Sequence, residues 1–250
     1  MASWMIHFRV AQALMDAGAL GGEPDAIITA AFAMGNIAPD SGVPDPSGQG
    51  YTPNKDTSHV MRAFESGLRD RCDTEGFAAA YLAPSADGNI PDPEATAFYL
   101  GYLSHLATDN AWLSRIVIPA KERFAHLRTE GGQETPASVA RFYAFLKKDW
   151  YDMDFLYLKH HAVLPVYAAF LSAPPFENRY LPFFPRDAFE ARRAGIADFY
   201  RQGVAQVVER ETYLSEEELS AFVSDVARKI LSDFGHLFAA LHAADEPLPV

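Results

Sequence analysis

The sequence has almost no cysteine and no long apolar run. Cys72 is the single cysteine among 250 residues, so no disulfide can form within the chain. No stretch reaches the ~18 apolar residues that a membrane-spanning helix needs. The first residues lack a basic segment followed by an apolar run, and Arg9 interrupts the first predicted helix, so no secretion signal is predicted. These absences predict a cytoplasmic protein without a transmembrane segment.

Positive charge is also scarce. The chain carries 21 Lys and Arg against 33 Asp and Glu, which gives a formal net charge of −12. Long-range repulsion then opposes binding to nucleic acid or to anionic membranes, and we expect no stable nucleic-acid partner. A bound cation can reverse the charge locally, so a phosphate-bearing substrate stays compatible with this balance. The sequence gives no indication of the oligomeric state.

Alternation of the kind typical of strands is missing as well, and helical periodicity dominates. Ser3 is a predicted N-cap, Asp92-Pro93 opens a long central helix that runs to about Ile118, and Ser215 begins a capping box. Aromatic residues make up 13% of the chain, which is typical of a packed core. The prediction is an all-α protein, a single-domain multi-helix bundle over residues 1–250.

Prolines interrupt this helical pattern early in the chain. Residues 37–56 are rich in proline and are predicted as one long loop without regular structure, a kind of loop that is often functional. A helix is predicted to follow from about Ser58 to Arg71. Residues 168–250 are either part of the same domain or a C-terminal helical extension, because no motif can be placed there.

Histidine and aspartate recur in otherwise apolar segments. His105 and Asp109 lie four residues apart, so they share one helical face, and such a pair suits a divalent cation. His7, Asp40 and His59 accompany them upstream. Each residue alone has a simpler explanation as a core histidine, a turn cap or an ion-pair partner. One shared cation explains all five together, because each buried polar group otherwise needs its own partner.

These motifs, in this order, resemble the zinc-dependent phospholipase C family, an all-α superfamily that includes the S1/P1 nucleases. The motifs are Trp4-Met-Ile-His7, Asn-Ile-Ala-Pro-Asp40, Thr-Ser-His59 and Gly-Tyr-Leu-Ser-His105-x-x-x-Asp109. The resemblance covers residues 1–115. It implies a cluster of two or three Zn²⁺ ions, with Mn²⁺ or another divalent metal as an alternative. By resemblance, Asp40, His59, His105 and Asp109 hold one ion, and Asp109 bridges to a second ion that His7 also binds.

The resemblance also implies a reaction, the hydrolysis of a phosphodiester by a metal-activated water with Asp40 as general base. The substrate would be a small phosphoester or a phospholipid. A nuclease or a small-molecule phosphatase on the same scaffold remains an alternative, and Tyr51, Trp112 and Trp150 are the aromatic residues nominated for base stacking. A non-catalytic metal-binding helical protein is the other alternative.

The chain departs from the family at its predicted third metal position. Trp4 is internal, whereas secreted members begin with a Trp whose amine and carbonyl bind zinc. Arg115 stands where those members have a histidine, and their following His-x-x-x-Glu pair is missing. Asp149 and Asp152 share a helical face and are the nearest substitutes as metal ligands, although such an acidic run is equally typical of a solvated helix face. We therefore expect a two-metal centre.

Overall fold

The computed structural model describes residues 2–45, 47–48, 50–62, 71–83, 92–208, 210 and 214–243. The prediction of an all-α multi-helix fold is confirmed. The helices are α1 (Trp4–Asp16), α2 (Ala26–Gly35), α3 (Lys55–Ser58), α4 (Thr74–Tyr81), α5 (Pro93–Trp112), α6 (Ile118–Arg123), α7 (Ala125–Arg128), α8 (Pro136–His160), α9 (Pro165–Ser172), α10 (Ala188–Gln206) and α11 (Glu216–Ala243). Within the described ranges, none of them is long and apolar enough to cross a bilayer.

The extended segments are only two residues each. Among the described residues they form three antiparallel pairs. These are β1 (Val43–Pro44) with β2 (Tyr51–Thr52), β3 (Met61–Arg62) with β4 (Arg71–Cys72), and β5 (Thr129–Glu130) with β6 (Gln133–Glu134). A 3₁₀ turn (Ala38–Asp40) follows α2, and a π-helical segment (Leu113–Val117) joins α5 to α6.

Helix α5 forms the centre of the fold. It packs against α1, α2, α4 and α11 and buries most of its length. Its contact with α2 is the most extensive between any two described elements and is very close, because a glycine on each helix faces the backbone of the other helix. A Cβ at Gly35 would overlap the carbonyl oxygen of Phe98, and a Cβ at Gly101 would overlap that of Phe32.

The C-terminal third belongs to the same core as the N-terminal half. Helix α11 packs along α1 and α5, α9 packs against α1 and α2, and α10 packs against α8. An ion pair of 2.5 Å between Arg9 and Glu216 further ties α1 to α11. The capping box predicted at Ser215 is present, since Glu218 N donates to Ser215 Oγ and Ser215 N donates to a carboxylate oxygen of Glu218.

Three local predictions need correction. The predicted helix from Ser58 to Arg71 is wrong in its described parts. Ser58 ends α3, Met61–Arg62 form β3 and Arg71 begins β4, while 63–70 fall outside the described residues. Val60 has a φ of 49°, and the Asn110 side chain binds both the N–H and the carbonyl of Cys72, so tertiary contacts with α5 override the local helical pattern. The loop 37–56 contains the 3₁₀ turn and the β1–β2 pair. Helix α9 lies in a segment for which the sequence predicts no helix.

Candidate metal centre

The structure brings five of the predicted site residues together. His7 comes from α1, Asp40 ends the 3₁₀ turn, His59 follows α3, and His105 and Asp109 lie one turn apart on α5. Two overlapping groups of metal-ligating atoms result, each with all atoms within 4.8 Å of one another. One group is His7, His105 and Asp109, and the other is Asp40, His59 and His105. His105 belongs to both.

The separations between these side chains suit ligands around shared cations better than direct hydrogen bonds. Asp109 Oδ1 lies 3.5 Å from His7 Nε2, and its Oδ2 lies 3.6 Å from His59 Nε2. Asp40 Oδ1 lies 3.4 Å from His59 Nε2. Hydrogen bonds of this kind are normally shorter. Two ligand atoms on one tetrahedral Zn²⁺, each bound at about 2.0–2.2 Å, lie about 3.3–3.6 Å apart.

The tautomer of His105 follows from its backbone partner. Its Nδ1 lies 2.9 Å from the carbonyl oxygen of Asn36, which can only accept, so Nδ1 carries the proton. Nε2 is then the lone-pair nitrogen, and it is buried without a hydrogen-bond partner in the described chain. A second interaction that fixes the ring and directs the other nitrogen at a metal is typical of ligating histidines.

His59 is oriented from two sides. Its Nδ1 lies 3.0 Å from Ser58 Oγ, and its Nε2 is buried with no hydrogen-bond partner among the described residues. The Tyr102 hydroxyl on α5 donates to the backbone carbonyl of Ser58 and so fixes the residue beside His59 against the central helix. The short helix α3 therefore presents His59 in a defined position.

His7 is the most unusual of the three histidines. It is fully buried, and neither ring nitrogen has a hydrogen-bond partner in the part of the chain that is described. Its ring stacks on that of His105, with centroids 3.8 Å apart and an interplanar angle of 4°. An unpaired buried polar group costs free energy, and a cation bound to His7 would remove that cost.

The protonation states of His105, Asp40 and Asp109 are those that metal ligands require. Burial, followed by the neighbouring His7, lowers the pKa of His105 to about 3, so its imidazole is neutral near pH 7. Burial alone would raise the pKa of both carboxylates, but His59 and His105 hold the pKa of Asp40 below its usual range. For Asp109 the positive charge of the amino terminus, followed by His7 and His105, likewise holds the pKa well below that range. Metal binding needs neutral imidazoles and ionised carboxylates, and His105, Asp40 and Asp109 meet that requirement.

Two further contacts fix the carboxylates. The indole Nε1 of Trp4 donates to Asp40 Oδ2 at 2.8 Å, and the backbone N–H of Ala2 donates to Asp109 Oδ1 at 2.9 Å. The residues just before and at the start of α1 therefore orient one carboxylate from each group. No specific sequence signal predicts these contacts, although Trp4 precedes His7 in the motif Trp4-Met-Ile-His7.

Asp149 and Asp152 lie in other surroundings. Asp149 is buried and pairs with Arg210 at 3.3 Å, while Asp152 pairs with Lys148 one turn earlier on α8. Neither residue belongs to the two groups of metal-ligating atoms found in the described ranges. The structure does not add these two carboxylates to the five clustered residues.

Asp154, on the same helix, supports the start of α1. Its carboxyl oxygens accept hydrogen bonds from Ser3 Oγ and from the Tyr200 hydroxyl, both at 2.9 Å, and Tyr200 in turn accepts from Met5 N at 2.8 Å. Burial raises the pKa of Asp154 to about 7 despite these two donors. Asp154 therefore positions the segment that carries Trp4 and His7.

A cleft of about 420 Å³ opens beside the cluster, with Asp40 and His59 in its wall. Asp40 keeps 12% of its side-chain surface exposed, whereas His105 is fully buried. Of the three aromatic residues nominated for stacking, Tyr51 and Trp150 line this cleft. Trp112 does not, because it is completely buried and packs against Trp150.

Comparison of the chain with protein-family models, with curated proteins and with solved structures gave no match, so the resemblance to the zinc-dependent phospholipase C family stays a prediction that the geometry of the cluster must support.

Proposed function

We propose that this chain is a metal-dependent hydrolase of phosphoesters, with two divalent ions, Zn²⁺ first among them, in the five-residue cluster. The observation that carries the proposal is the position of Asp109, whose Oδ1 lies 3.5 Å from His7 Nε2 and whose Oδ2 lies 3.6 Å from His59 Nε2. A carboxylate whose two oxygens face different histidines can bridge two neighbouring ions, whereas His105, with only Nε2 free, can bind one.

The ligand chemistry supports Zn²⁺ or Mn²⁺. The three imidazoles are borderline ligands and the two carboxylates are hard ligands, and Zn²⁺ binds both types at similar distances. Such ions polarise phosphoryl oxygens and lower the pKa of a bound water. The protein's own contribution is to fix the ligands, through Asn36, Ser58 and Trp4, and to keep most of the cluster away from solvent.

Asp40 has two roles in this proposal. It is a ligand of one ion, and it accepts the proton of the attacking water as that oxygen bonds to phosphorus and the ester oxygen leaves. Its carboxylate is the one that reaches the cleft, which supports the second role. Its lowered pKa suits the first role and makes it a weak base, so the two roles need separate tests.

The open cleft favours a hydrolase over a purely structural metal site. Structural zinc sites are closed by four protein ligands, whereas catalytic sites keep a position for water or substrate. Here the cluster borders a cleft through Asp40 and His59. A closed structural site would have no need of a carboxylate at the edge of a cleft.

Elemental analysis and a hydrolysis assay test the proposal together. Protein purified without added metal is expected to contain about two divalent ions per chain and to cleave bis-(p-nitrophenyl) phosphate after loading with Zn²⁺ or Mn²⁺. His105→Ala should lose ions and activity. His160→Ala is the matched control, because His160 is exposed at the end of α8. Full occupancy without hydrolysis of any phosphodiester or phosphomonoester would favour the non-catalytic metal-binding alternative.

A further inference from the structure

We propose that the cleft beside the cluster selects a small phosphoester that carries a second anionic group, and that Lys55, Lys147 and Arg192 bind that group. The inference rests on the proposed hydrolase function for its reaction. The recognition it describes is a separate property of the cleft and can be measured by binding alone.

The cleft has an excess of positively charged residues, whereas the chain as a whole is negatively charged. Acidic residues outnumber basic ones by 33 to 21 overall. The cleft is lined by Lys55, Lys147 and Arg192, and Asp40 is the one carboxylate among its lining residues. Asp40 is also a proposed metal ligand, so its charge would be neutralised by the ion. A concave site with this excess of positive charge attracts and concentrates anions.

Among the described residues, no carboxylate neutralises the charge of Lys55 or of Lys147. Both side chains are exposed, and in the described ranges neither Lys55 nor Lys147 lies within ion-pair distance of an acidic group. Lysines elsewhere on the surface differ in this respect, since Lys148 pairs with Asp152 and Lys229 pairs with Asp233. Positive charge is thus left unbalanced at the cleft.

Arg192 is held so that its guanidinium stays in the cleft wall. It lies 5.5 Å from the centroid of the Trp4 ring, and its Nη2 donates to the carbonyl oxygen of Gly42 at 3.2 Å. Its Nε is buried with no hydrogen-bond partner among the residues described. A preorganised guanidinium with unused donors is well suited to bind a phosphate or carboxylate.

Two of the three cations, Arg192 and Lys55, are connected to the cluster through directly contacting residues. Trp4 contacts Arg192 with its ring face and donates to Asp40 with its indole N–H. Lys55 begins α3, and its carbonyl accepts the backbone N–H of His59 at 2.8 Å. An anion held by these side chains would therefore sit next to a phosphoester at the cluster.

Lys147 completes the site from α8. It precedes Trp150 and Tyr151 by three and four residues, so the three side chains share one helical face, and all three line the cleft. The cations therefore come from three separate elements, α3, α8 and α10. This arrangement surrounds the cleft, which at about 420 Å³ fits a small-molecule ligand.

The same features disfavour a cationic headgroup. Aromatic walls can bind a quaternary ammonium through cation–π contacts. Here the face of Trp4 is already taken by Arg192, and the two lysines add repulsion. An esterified alcohol with a phosphate or carboxylate meets attraction at all three positions, whereas a choline ester meets repulsion.

A matched series of substrates tests the proposal. The metal-loaded protein is assayed with the p-nitrophenyl phosphodiesters of choline, of its neutral isostere 3,3-dimethylbutanol, and of 2-hydroxyethyl phosphate. We expect kcat/KM for the phosphate-bearing ester to exceed that for the neutral ester by about tenfold, since each charge-assisted hydrogen bond is stronger than a neutral one. The choline ester should be the poorest of the three, and the preference should shrink at high salt.

Lys147→Gln and Lys148→Gln provide the matched variants, because both lysines are exposed neighbours on α8 and only Lys147 lines the cleft. Lys147→Gln should reduce the ratio of kcat/KM between the phosphate-bearing and neutral esters severalfold. Lys148→Gln should leave that ratio unchanged. Equal ratios in the two variants, or equal rates for the three esters in the parent, would overturn the proposal.

Equilibrium binding separates this proposal from the hydrolase proposal. Calorimetry with the same esters gives Kd values whether or not turnover occurs. Tighter binding of the phosphate-bearing ester that Lys147→Gln weakens and Lys148→Gln does not would support the anion site even if no ester were cleaved. Hydrolysis without any difference in Kd among the esters would support the hydrolase and overturn the anion site.

Discussion

The backbone carbonyl of Asn36 accepts a buried hydrogen bond of 2.9 Å from Nδ1 of His105. This contact joins the end of α2 to the middle of α5 and fixes the ring that both ligand groups share. It depends on the close approach of the two helices at Gly35 and Gly101. Two glycines remote from any reaction thereby control the geometry of the candidate metal centre.

Gly101→Ala should therefore impair both folding and metal binding. The added methyl group would overlap the Phe32 carbonyl oxygen, and backbone atoms cannot move aside as a flexible side chain can. We expect the free energy of unfolding to fall by about 1–3 kcal/mol or more, as for other overpacked cores. Urea unfolding measures this loss, and metal titration of the folded fraction measures the affinity.

Gly195→Ala is the control for that variant. Gly195 lies in α10 with nothing within 4 Å of an added Cβ, so the change should leave stability unchanged or raise it by about 0.5–1 kcal/mol. If Gly101→Ala were as stable as Gly195→Ala and bound metal equally well, the close contact between α2 and α5 would not position His105.

The helices were predictable because their signals are local. Asp92 caps α5 as predicted, with its carboxylate accepting the N–H of Ala95 at 3.0 Å, and Ser3 lies at the N-cap of α1. Caps and apolar periodicity act over a few residues, so they can be read without knowing the fold. The predicted end of the central helix near Ile118 is less accurate, because α5 ends at Trp112 and a π-helical segment leads from there into α6.

The clustered residues were predictable for a different reason. His7, Asp40, His59, His105 and Asp109 are polar side chains in apolar segments, a pattern that a core tolerates only when the groups are satisfied jointly. The cleft gave no such signal. Lys55, Lys147 and Arg192 read as ordinary surface residues in the sequence, because only the packing of α3, α8 and α10 brings them together.

Removal of the shared histidine should abolish the stabilisation by metal. In the parent, excess Zn²⁺ should raise the melting temperature, because an ion that binds only the folded state adds about 2.7 kcal/mol at 100 times its Kd. His105→Ala removes a ligand from both groups and leaves Asp109 and His7 buried without it. Thermal unfolding with Zn²⁺ and with a chelator checks this.

The control for this experiment is again His160→Ala, whose melting temperature should respond to Zn²⁺ as the parent does. An equal rise in His105→Ala would mean that zinc binds elsewhere on the folded chain. A parent protein with no response to Zn²⁺, Mn²⁺ or chelator would contradict the metal centre itself.

Asp154 should make the stability of the folded protein fall as the pH rises, which is the reverse of the usual effect of an aspartate. Its pKa is raised to about 7 in the folded state, while an unfolded aspartate titrates near 3.8. Between these two pH values the folded state holds a proton on Asp154 that the unfolded state has lost. The stabilisation that comes from this protonation is therefore complete below about pH 4 and is lost as the pH rises to about 7. Asp154→Asn cannot ionise and keeps an oxygen to accept from Ser3.

Urea unfolding of the chelated proteins measures this effect. The stability of Asp154→Asn relative to the parent should rise by up to about 1.4 kcal/mol per pH unit between about pH 5 and 7 and then level off. Asp225→Asn is the control, because Arg115 lowers the pKa of this exposed carboxylate and its contribution does not vary in that range. If the stability difference between Asp154→Asn and the parent did not change with pH, the raised pKa assigned to Asp154 would be wrong.

Asp40→Asn should separate the two roles proposed for Asp40. The amide keeps the size of the side chain and one oxygen that can bind a metal, but it has neither the charge nor the basicity of the carboxylate. The Trp4 indole N–H, which donates to Asp40 Oδ2 in the parent, can still donate to the remaining amide oxygen if the side chain rotates. We expect turnover of bis-(p-nitrophenyl) phosphate to fall by about 10²-fold or more, the usual effect of losing a general base, while metal content falls less. Trp4→Phe is the companion variant, because it removes the hydrogen bond to Asp40 and keeps an aromatic ring beside Arg192. It should lower turnover more modestly at full metal occupancy. Loss of metal and activity together in Asp40→Asn would make Asp40 a ligand first, and unchanged turnover with full occupancy would remove it from the reaction.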